Sequence, residues 1–466
     1  MNAVATRGFL FDLEKCTGCN ACELACTIEN ELPWGRSWRG VTTFNPDHLP
    51  GIPTFHLSLA CNHCEAAPCK RHCPALAIGR DARTGNVEID AARCIGCKYC
   101  SWACPYGAPL FDPQARVMTK CTGCNHRVAD GMEPACVALC PTTALGYGPL
   151  AGAESVPGFP ETAARPAIRF QPLREGRSAP ECTWHLPAEL LGMPPAVASR
   201  LPEITLRAEW PLFVFSTMLP ILVGWTLAWV LGGALHASEG HLVPSASGAV
   251  PALPLGLFLL GAALALGTSL LHLGHKKRAW RAVLNLRGSW LSREVAGAGS
   301  FVCVAAVSAF GVGSTWLPRL AAGLGVVTLF AIDRVYDLVR PRIRLHSADT
   351  LATGLLYAAA WCDWAPGVLV LVAGKLLLYS AQQAGRRGSR HRIIRSRERL
   401  LGLVRILGLG AACGVPFTHG PVEAALCLAM VLGESSDRAQ FYTQLEIISP
   451  DRQVRLDLAA RSMAPR

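Results

Sequence analysis

The sequence predicts a two-part protein, a cysteine-rich domain followed by an all-α bundle of eight transmembrane helices. Three observations predict it. Sixteen of the 21 cysteines lie between Cys16 and Cys140. After Trp210 the chain turns into long apolar runs broken by basic stretches. Charge divides at the same place: residues 1–150 hold 13 Lys+Arg and 13 Asp+Glu, so the net charge of +11 resides entirely in residues 151–466. A chain of 466 residues has room for two or three domains.

The sixteen cysteines form four runs of four: Cys16, Cys19, Cys22, Cys26; Cys61, Cys64, Cys69, Cys73; Cys94, Cys97, Cys100, Cys104; and Cys121, Cys124, Cys136, Cys140. Runs two to four end in Cys-Pro, with Pro74, Pro105 and Pro141. The spacing C-x2-C-x2-C-x3-C-P is the bacterial ferredoxin run, in which three thiolates bind one [4Fe–4S] cluster and the fourth binds another. Four runs therefore supply ligands for four [4Fe–4S] clusters, which makes an electron path rather than a single site. Zinc and disulfides are the competing uses of such cysteines. A zinc ribbon takes two separated C-x2-C knuckles and has no use for a third thiol two residues later. A secreted disulfide scaffold fits the dense spacing less well. The scattered Cys182, Cys303, Cys362, Cys413 and Cys427 read as ordinary thiols, four of them in apolar stretches.

Residues 1–150 are thus read as the cluster domain and 151–206, rich in Pro, Gly and Ala, as a linker or extended arm. Residues 207–445 form the membrane part, and 446–466 a polar C-terminal tail. Spans are expected near 210–235, 252–273, 294–314, 318–335, 348–362, 365–381, 400–415 and 420–434. Crossing a ~30 Å hydrocarbon core takes about 20 residues at 1.5 Å each. The apolar stretch 348–379 would overshoot as one helix, so it is divided at Asp363.

With eight spans, the loops following helices two, four and six hold 17 Lys and Arg against one, Arg319, on the other face. By the positive-inside rule the basic face is cytoplasmic, together with both termini and the cluster domain. The alternative use of the arginines is to dock an anionic cluster domain, whichever side it occupies. Met1–Leu13 has one arginine, no apolar h-region and no twin-arginine pair, so no export of the cysteine-rich part is expected. The protein is read as a multi-pass protein of the bacterial inner membrane.

No two histidines share a mid-span position, so no haem is expected. Polar residues sit at span ends instead: His272 closing helix two, Glu294 opening helix three, Arg334 and Tyr336 closing helix four, and Glu434 closing helix eight. Ionisable groups at membrane depth are costly and mark function unless they snorkel to the interface. A histidine and two glutamates on the cluster side have the chemistry of a quinone site, where a proton acceptor must accompany electron transfer.

Cys94-Ile-Gly-Cys-Lys-Tyr-Cys-Ser-Trp-Ala-Cys-Pro-Tyr-Gly-Ala-Pro109 resembles the third cluster motif of the dimethyl sulfoxide reductase electron-transfer subunit. Met118-Thr-Lys-Cys-Thr-Gly-Cys-Asn-His-Arg-Val-Ala-Asp-Gly131 is similar to its fourth, and Cys61-Asn-His-Cys-Glu65 to its second. Glu209-Trp-Pro211, Leu271-His-Leu-Gly274, Leu291-Ser-Arg-Glu294, Arg334-Val-Tyr336 and the stretch from Gly433 to Tyr442 resemble the membrane-anchor subunit of the same enzymes. The chain looks like the two subunits fused.

The resemblance implies an α+β double module of ferredoxin-like type, then an eight-helix bundle. It implies that run one exchanges its fourth cysteine with run four, and run two with run three. It implies four cubanes, since Cys97 keeps a thiol where some relatives place tryptophan and hold a [3Fe–4S] centre. It maps the family's quinol-site histidine and glutamate onto His272 and Glu294. The implied partner is a separate molybdopterin-containing catalytic subunit, alongside membrane lipid and the quinone pool, with no role for nucleic acid. Thr27 follows Cys26 where the other runs have proline, a departure that leaves ligation in place.

The expected function is that of a non-catalytic subunit carrying electrons between quinone and that partner. A cytoplasm-facing, quinone-linked sulfite dehydrogenase would use the same plan in the oxidative direction. A self-contained ferredoxin:quinone reductase and a redox sensor are the further alternatives.

Overall fold

The computed structural model describes residues 7–44, 54–150, 163–171, 204–238, 255–309, 316–339, 346–385 and 394–445. Two compact units separate at residue 204.

The first unit is a small α/β domain. Strand β1 (Arg7–Asp12) is central in a three-stranded sheet, antiparallel to β8 (Leu145–Pro149) and parallel to β9 (Ile168–Gln171). β9 lies in the segment read as a linker, so part of that arm is an edge strand of the cluster domain. Three two-stranded sheets complete the strands: β2 (Gly40–Phe44) with β3 (Phe55–Leu59), β4 (Ile78–Arg80) with β5 (Val87–Ile89), and β6 (Leu110–Asp112) with β7 (Val117–Thr119). Alternation on β1 turns Phe9 and Phe11 into a core with Phe44, Leu57, Leu145, Ile168 and Phe170. Such a core is small, and Cys22 and Cys136 belong to it.

Five short helices carry cysteines or follow them directly: α1 (Ala21–Glu29), α2 (Pro68–His72), α3 (Tyr99–Ala103), α4 (Asn125–Ala129) and α5 (Ala135–Ala138). Helix α1 packs on α5, and α2 on α3. Run one therefore meets run four, and run two meets run three.

The second unit is helical. Its α-helices among the described residues are α6 (Trp210–Ser238), α7 (Leu255–Leu271), α8 (Trp290–Ala309), α9 (Leu317–Val335), α10 (Thr350–Trp361), α11 (Ala365–Gly385), α12 (Ile394–Gly414) and α13 (Pro421–Gln444). Four of them are long and apolar enough to cross a membrane, or five when α7 is joined to the 3-10 helix Lys276–Val283, from which it bends by 103°. The break between α10 and α11 falls at Asp363, whose φ of 57° is left-handed and ends the helix. Helix α8 starts at Trp290, four residues before the expected span, and α13 runs to Gln444 rather than ending at 434. Both extensions carry polar residues turned inward, so hydropathy misses them: Ser292, Ser436, Asp437, Arg438 and Gln440 are buried, as are Glu294 and Glu434 at the expected limits. Helices α12 and α13 approach through Gly408 and Gly433, where a Cβ on Gly408 would stand 2.6 Å from the Gly433 Cα. Arg340, Arg342, Arg344, Arg386, Arg387, Arg390 and Arg392, on which the charge bias partly rests, lie outside the described residues, as does the tail from residue 446.

Candidate cluster centres and a buried polar site

Each run opens with the same local device. In three of them the sequence is Cys-x-Gly-Cys, and the glycines Gly18, Gly96 and Gly123 take φ of 71°, 68° and 71°. This left-handed turn aims the glycine amide back at the first sulfur: Gly96 N donates to Cys94 Sγ at 3.4 Å and Gly123 N to Cys121 Sγ at 3.3 Å. Run two makes the turn with His63, φ 42°, whose amide lies 3.5 Å from Cys61 Sγ. Further amides reach sulfur from outside the turns, Met118 N to Cys94 and Ala77 N to Cys73. Amides aimed at sulfur stabilise a thiolate and tune whatever it holds.

The sixteen thiols assemble across runs into four groups. Cys16 stands beside Cys19 and Cys140, and Cys22, which follows Cys19 in the run, lies on α1 with Cys136 of the second group as its thiol neighbour. Cys121 and Cys124 stand beside Cys26 and Cys136. Cys64 and Cys69 stand beside Cys61 and Cys104. Cys97 and Cys100 stand beside Cys73 and Cys94. Neighbouring groups also lie within electrostatic range of one another in series: Cys22 with Cys136, Cys121 with Cys61, and Cys100 with Cys69.

Burial pushes the Cys64, Cys97 and Cys121 thiols up from their ordinary value, and adjacent thiols add to the effect. Cys69 is pushed up to about 12 and Cys104 to about 11 by the same causes. Four thiols so placed ionise together only around a group that brings positive charge. Among the described residues, no three Cys, His, Asp or Glu side chains converge on a point that one metal ion could fill. A tetrahedral zinc site needs that convergence. A cubane does not, because each thiolate meets a different iron. Around the second group, Phe9, Arg39, Cys26, Cys121, Cys124 and Cys136 line a common pocket. Soft thiolates in fours, amides aimed at sulfur and a lined pocket fit iron–sulfur clusters.

The membrane unit holds two buried polar assemblies. In the first, the Arg438 guanidinium donates from Nε to Ser216 Oγ at 2.9 Å and from Nη1 to the Ala348 carbonyl at 3.1 Å. It lies 4.8 Å from the Tyr336 ring centroid and 4.5 Å from that of Phe441. Glu294 faces Arg438 and Asp333, and its Oε2 is buried with no hydrogen-bond partner among the described residues. The hydroxyls of Tyr336 and Tyr442 meet at 2.5 Å. Asp333 caps α10, accepting from Thr350 N at 2.7 Å, Thr350 Oγ1 at 2.9 Å and Leu351 N at 3.1 Å.

In the second assembly, Lys375 Nζ meets Glu434 Oε2 at 2.7 Å, and Thr353 Oγ1 donates to the same oxygen at 2.7 Å. Arg405 and Asp437 pair at 3.1 Å, and Ser347 Oγ donates to Asp437 Oδ1 at 3.2 Å. All four charged side chains are at most 3% exposed.

The structure thus gathers two of the five expected quinone-site residues, Glu294 and Tyr336, around Arg438. Glu434 is placed instead in the Lys375 pair: one turn before Arg438 on α13, its Oε2 is taken by Lys375 of α11 and Thr353 of α10. Arg334 turns to the surface and pairs with Asp337 at 2.6 Å. His272 is half-buried at the end of α7, where Nδ1 donates to the Ser269 carbonyl; in the neutral ring this leaves Nε2 as the acceptor. The expectation that polar residues lie only at span ends fails at Lys375 and Arg405. Both sit in the middle of their helices, and each was visible as a lone charge in an apolar run.

A domain that groups soft thiols in fours, joined to a helical unit with spans of membrane length, defines an iron–sulfur electron-transfer protein with its own membrane anchor. Comparison with known proteins agrees with both halves. Residues 52–150 match the 4Fe-4S dicluster domain family, and residues 206–350 match the DMSO reductase anchor subunit (DmsC) family. Over 151 residues the sequence is 41% identical to one of the chains of the anaerobic dimethyl sulfoxide reductase of Escherichia coli K12, covering 31% of this chain and 73% of the relative. It is 42% identical over 148 residues to the thiosulfate reductase electron transfer subunit PhsB of Salmonella typhi, covering 31% and 77%. It is 34% identical over 200 residues to one of the subunits of the sulfite dehydrogenase of Allochromatium vinosum, covering 36% and 83%. The chain is a member of the dimethyl sulfoxide reductase family of iron–sulfur subunits and carries that family's anchor subunit fused behind it. Its work is electron transfer and membrane anchoring.

Proposed function

We propose that this chain carries electrons between membrane quinone and a separate molybdopterin-containing catalytic subunit through four [4Fe–4S] clusters. The observation that carries the reading is the serial arrangement of the four thiol groups. The ligand sets are Cys16, Cys19, Cys22, Cys140; Cys26, Cys121, Cys124, Cys136; Cys61, Cys64, Cys69, Cys104; and Cys73, Cys94, Cys97, Cys100. When bound, each cubane takes up and releases one electron. The protein's part is to hold the thiolates, exclude water and aim amides at sulfur. The cluster domain is read as a ferredoxin-like double module.

At the anchor, Glu294 is the proton acceptor for quinol oxidation. Its Oε2 is free of hydrogen bonds from the described residues, and Arg438 beside it stabilises the carboxylate. Tyr336 and Tyr442 present paired hydroxyls for a quinone oxygen, and His272 Nε2 is a second acceptor. Lys375–Glu434 is structural in this reading. The helices α6 to α13 make eight spans, with the cluster domain and both termini cytoplasmic, as the basic loops indicate.

The test follows quinol-driven reduction of the clusters in the full chain. Glu294→Gln and His272→Ala should slow it at least tenfold at unchanged iron content. Wild-type rates in both variants would remove the site. A reporter joined after Arg466 that is active only outside the cytoplasm would overturn the orientation.

The sulfite dehydrogenase reading, with electrons moving toward quinone, is favoured by one observation. The match to that relative extends over 200 residues and 83% of its length. Isolation of the catalytic partner and assay of its substrate decides the direction.

A further inference from the structure

We propose that Arg39 and Lys120 are buried counter-cations of the electron path, each serving two clusters and raising the reduction potential of both. The inference rests on the ligand sets proposed above.

Arg39 is 1% exposed. Nη1 donates to the Ser58 carbonyl at 3.3 Å and to Ser58 Oγ at 3.1 Å, and the guanidinium lies 4.5 Å from the Phe9 ring centroid. The thiols around it come from two groups: Cys22 from the first, and Cys26, Cys121 and Cys136 from the second. Lys120 is 3% exposed and donates from Nζ to the carbonyls of Val87 and, at 2.9 Å, of Cys121. Its thiols also come from two groups, Cys121 from the second, and Cys61 and Cys69 from the third. His63 completes the second junction, with Nδ1 accepting from Val87 N at 3.0 Å and Nε2 3.9 Å from Cys121 Sγ.

A buried cation is costly unless negative charge surrounds it. Here the thiolates of two cluster sets supply negative charge, and that charge increases by one electron on reduction. A fixed positive charge in a low-dielectric interior therefore favours the reduced state of both neighbours, and lessens the repulsion between electrons on adjacent clusters. The two cations occupy the first and second junctions of the series. The fourth group lies beyond both and serves as an internal reference.

The test is a potentiometric titration of the full-length protein, followed by electron paramagnetic resonance, with total iron and spin integration read on the same samples. Arg39→Gln should make the first and second clusters about tenfold harder to reduce, equivalent to 59 mV for one electron, and leave the fourth in place. Lys120→Gln should do the same to the second and third. Arg39→Lys and Lys120→Arg, which keep the charge, should stay near wild type. Four clusters with unmoved midpoints in both Gln variants would overturn the proposal, as would shifts of equal size in the charge-keeping variants. Loss of the flanking clusters in both Gln variants, with the conservative pair at wild-type potentials, would assign the cations to cluster assembly and overturn it too. Fewer than four clusters in the wild type would contradict the ligand sets instead.

Discussion

Replacing Lys375 with methionine would leave the Glu434 carboxylate buried without its counter-charge, and the structure sets the scale of the effect. The two groups meet at 2.7 Å with side chains 2% and 3% exposed. At an effective dielectric of about 20, that separation corresponds to a gross attraction of about 6 kcal/mol. Desolvation of both ions offsets much of it, so the cost of removing one partner is expected near 3–5 kcal/mol. Thr353 Oγ1 accepts from Lys375 at 3.0 Å and donates to Glu434 at 2.7 Å, so it can stabilise the remaining carboxylate only in part. The double variant Lys375→Met with Glu434→Leu removes both charges and should lie within about 2 kcal/mol of wild type. Denaturant titration in detergent micelles, read by tryptophan fluorescence with iron content as a check, measures all three. A cost below about 1 kcal/mol for Lys375→Met would refute the buried pair. The same variants separate the two assemblies in function. Glu434→Gln should leave quinol-driven reduction within about twofold of wild type, and a loss matching that of Glu294→Gln would return Glu434 to the quinone site.

Three other outcomes are expected. Cys97→Trp should convert the fourth cluster into a [3Fe–4S] centre, visible as a new resonance in the oxidised protein, while the other three signals persist. Asp333→Ala removes the acceptor of three donors at the start of α10 and should cost about 1–3 kcal/mol in the same denaturant titration. Gly433→Leu should separate α12 from α13, because the Gly408 Cα occupies the space where a side chain would begin, and should cost more than Gly410→Leu, which meets nothing within 4 Å.

The cluster domain was the more legible half, because its chemistry is local. Ligand spacing, the Cys-x-Gly-Cys turns and the terminal prolines each act over a few residues, so a linear reading captures them. Arg39 carried no such signal. Its neighbours come from four distant stretches of sequence, and only folding shows that a single arginine serves two thiol groups. Strand β9 was hidden for a related reason: four residues in a Pro- and Gly-rich segment become a strand only by pairing with β1, more than 150 positions away. In the membrane half, apolar runs located helices but misplaced the limits of α8 and α13. Hydropathy assumes that polar residues mark the membrane surface, whereas Glu294 and Glu434 to Gln440 mark the bundle interior. Lys375 and Arg405 were readable as lone charges amid leucine and valine, yet their partners Glu434 and Asp437 lay in another helix. Glu434 accordingly looked like a companion of Glu294, because both are glutamates at span ends on the same side.

The most direct test of the central claim is iron quantification on anaerobically purified full-length protein, combined with the paramagnetic resonance spectrum after reduction by quinol. Four cubanes require about 16 iron atoms per protein molecule, and interacting [4Fe–4S] signals that appear on adding quinol and diminish in Glu294→Gln. Zinc in place of iron, about half that iron content, or clusters that quinol cannot reduce would contradict it.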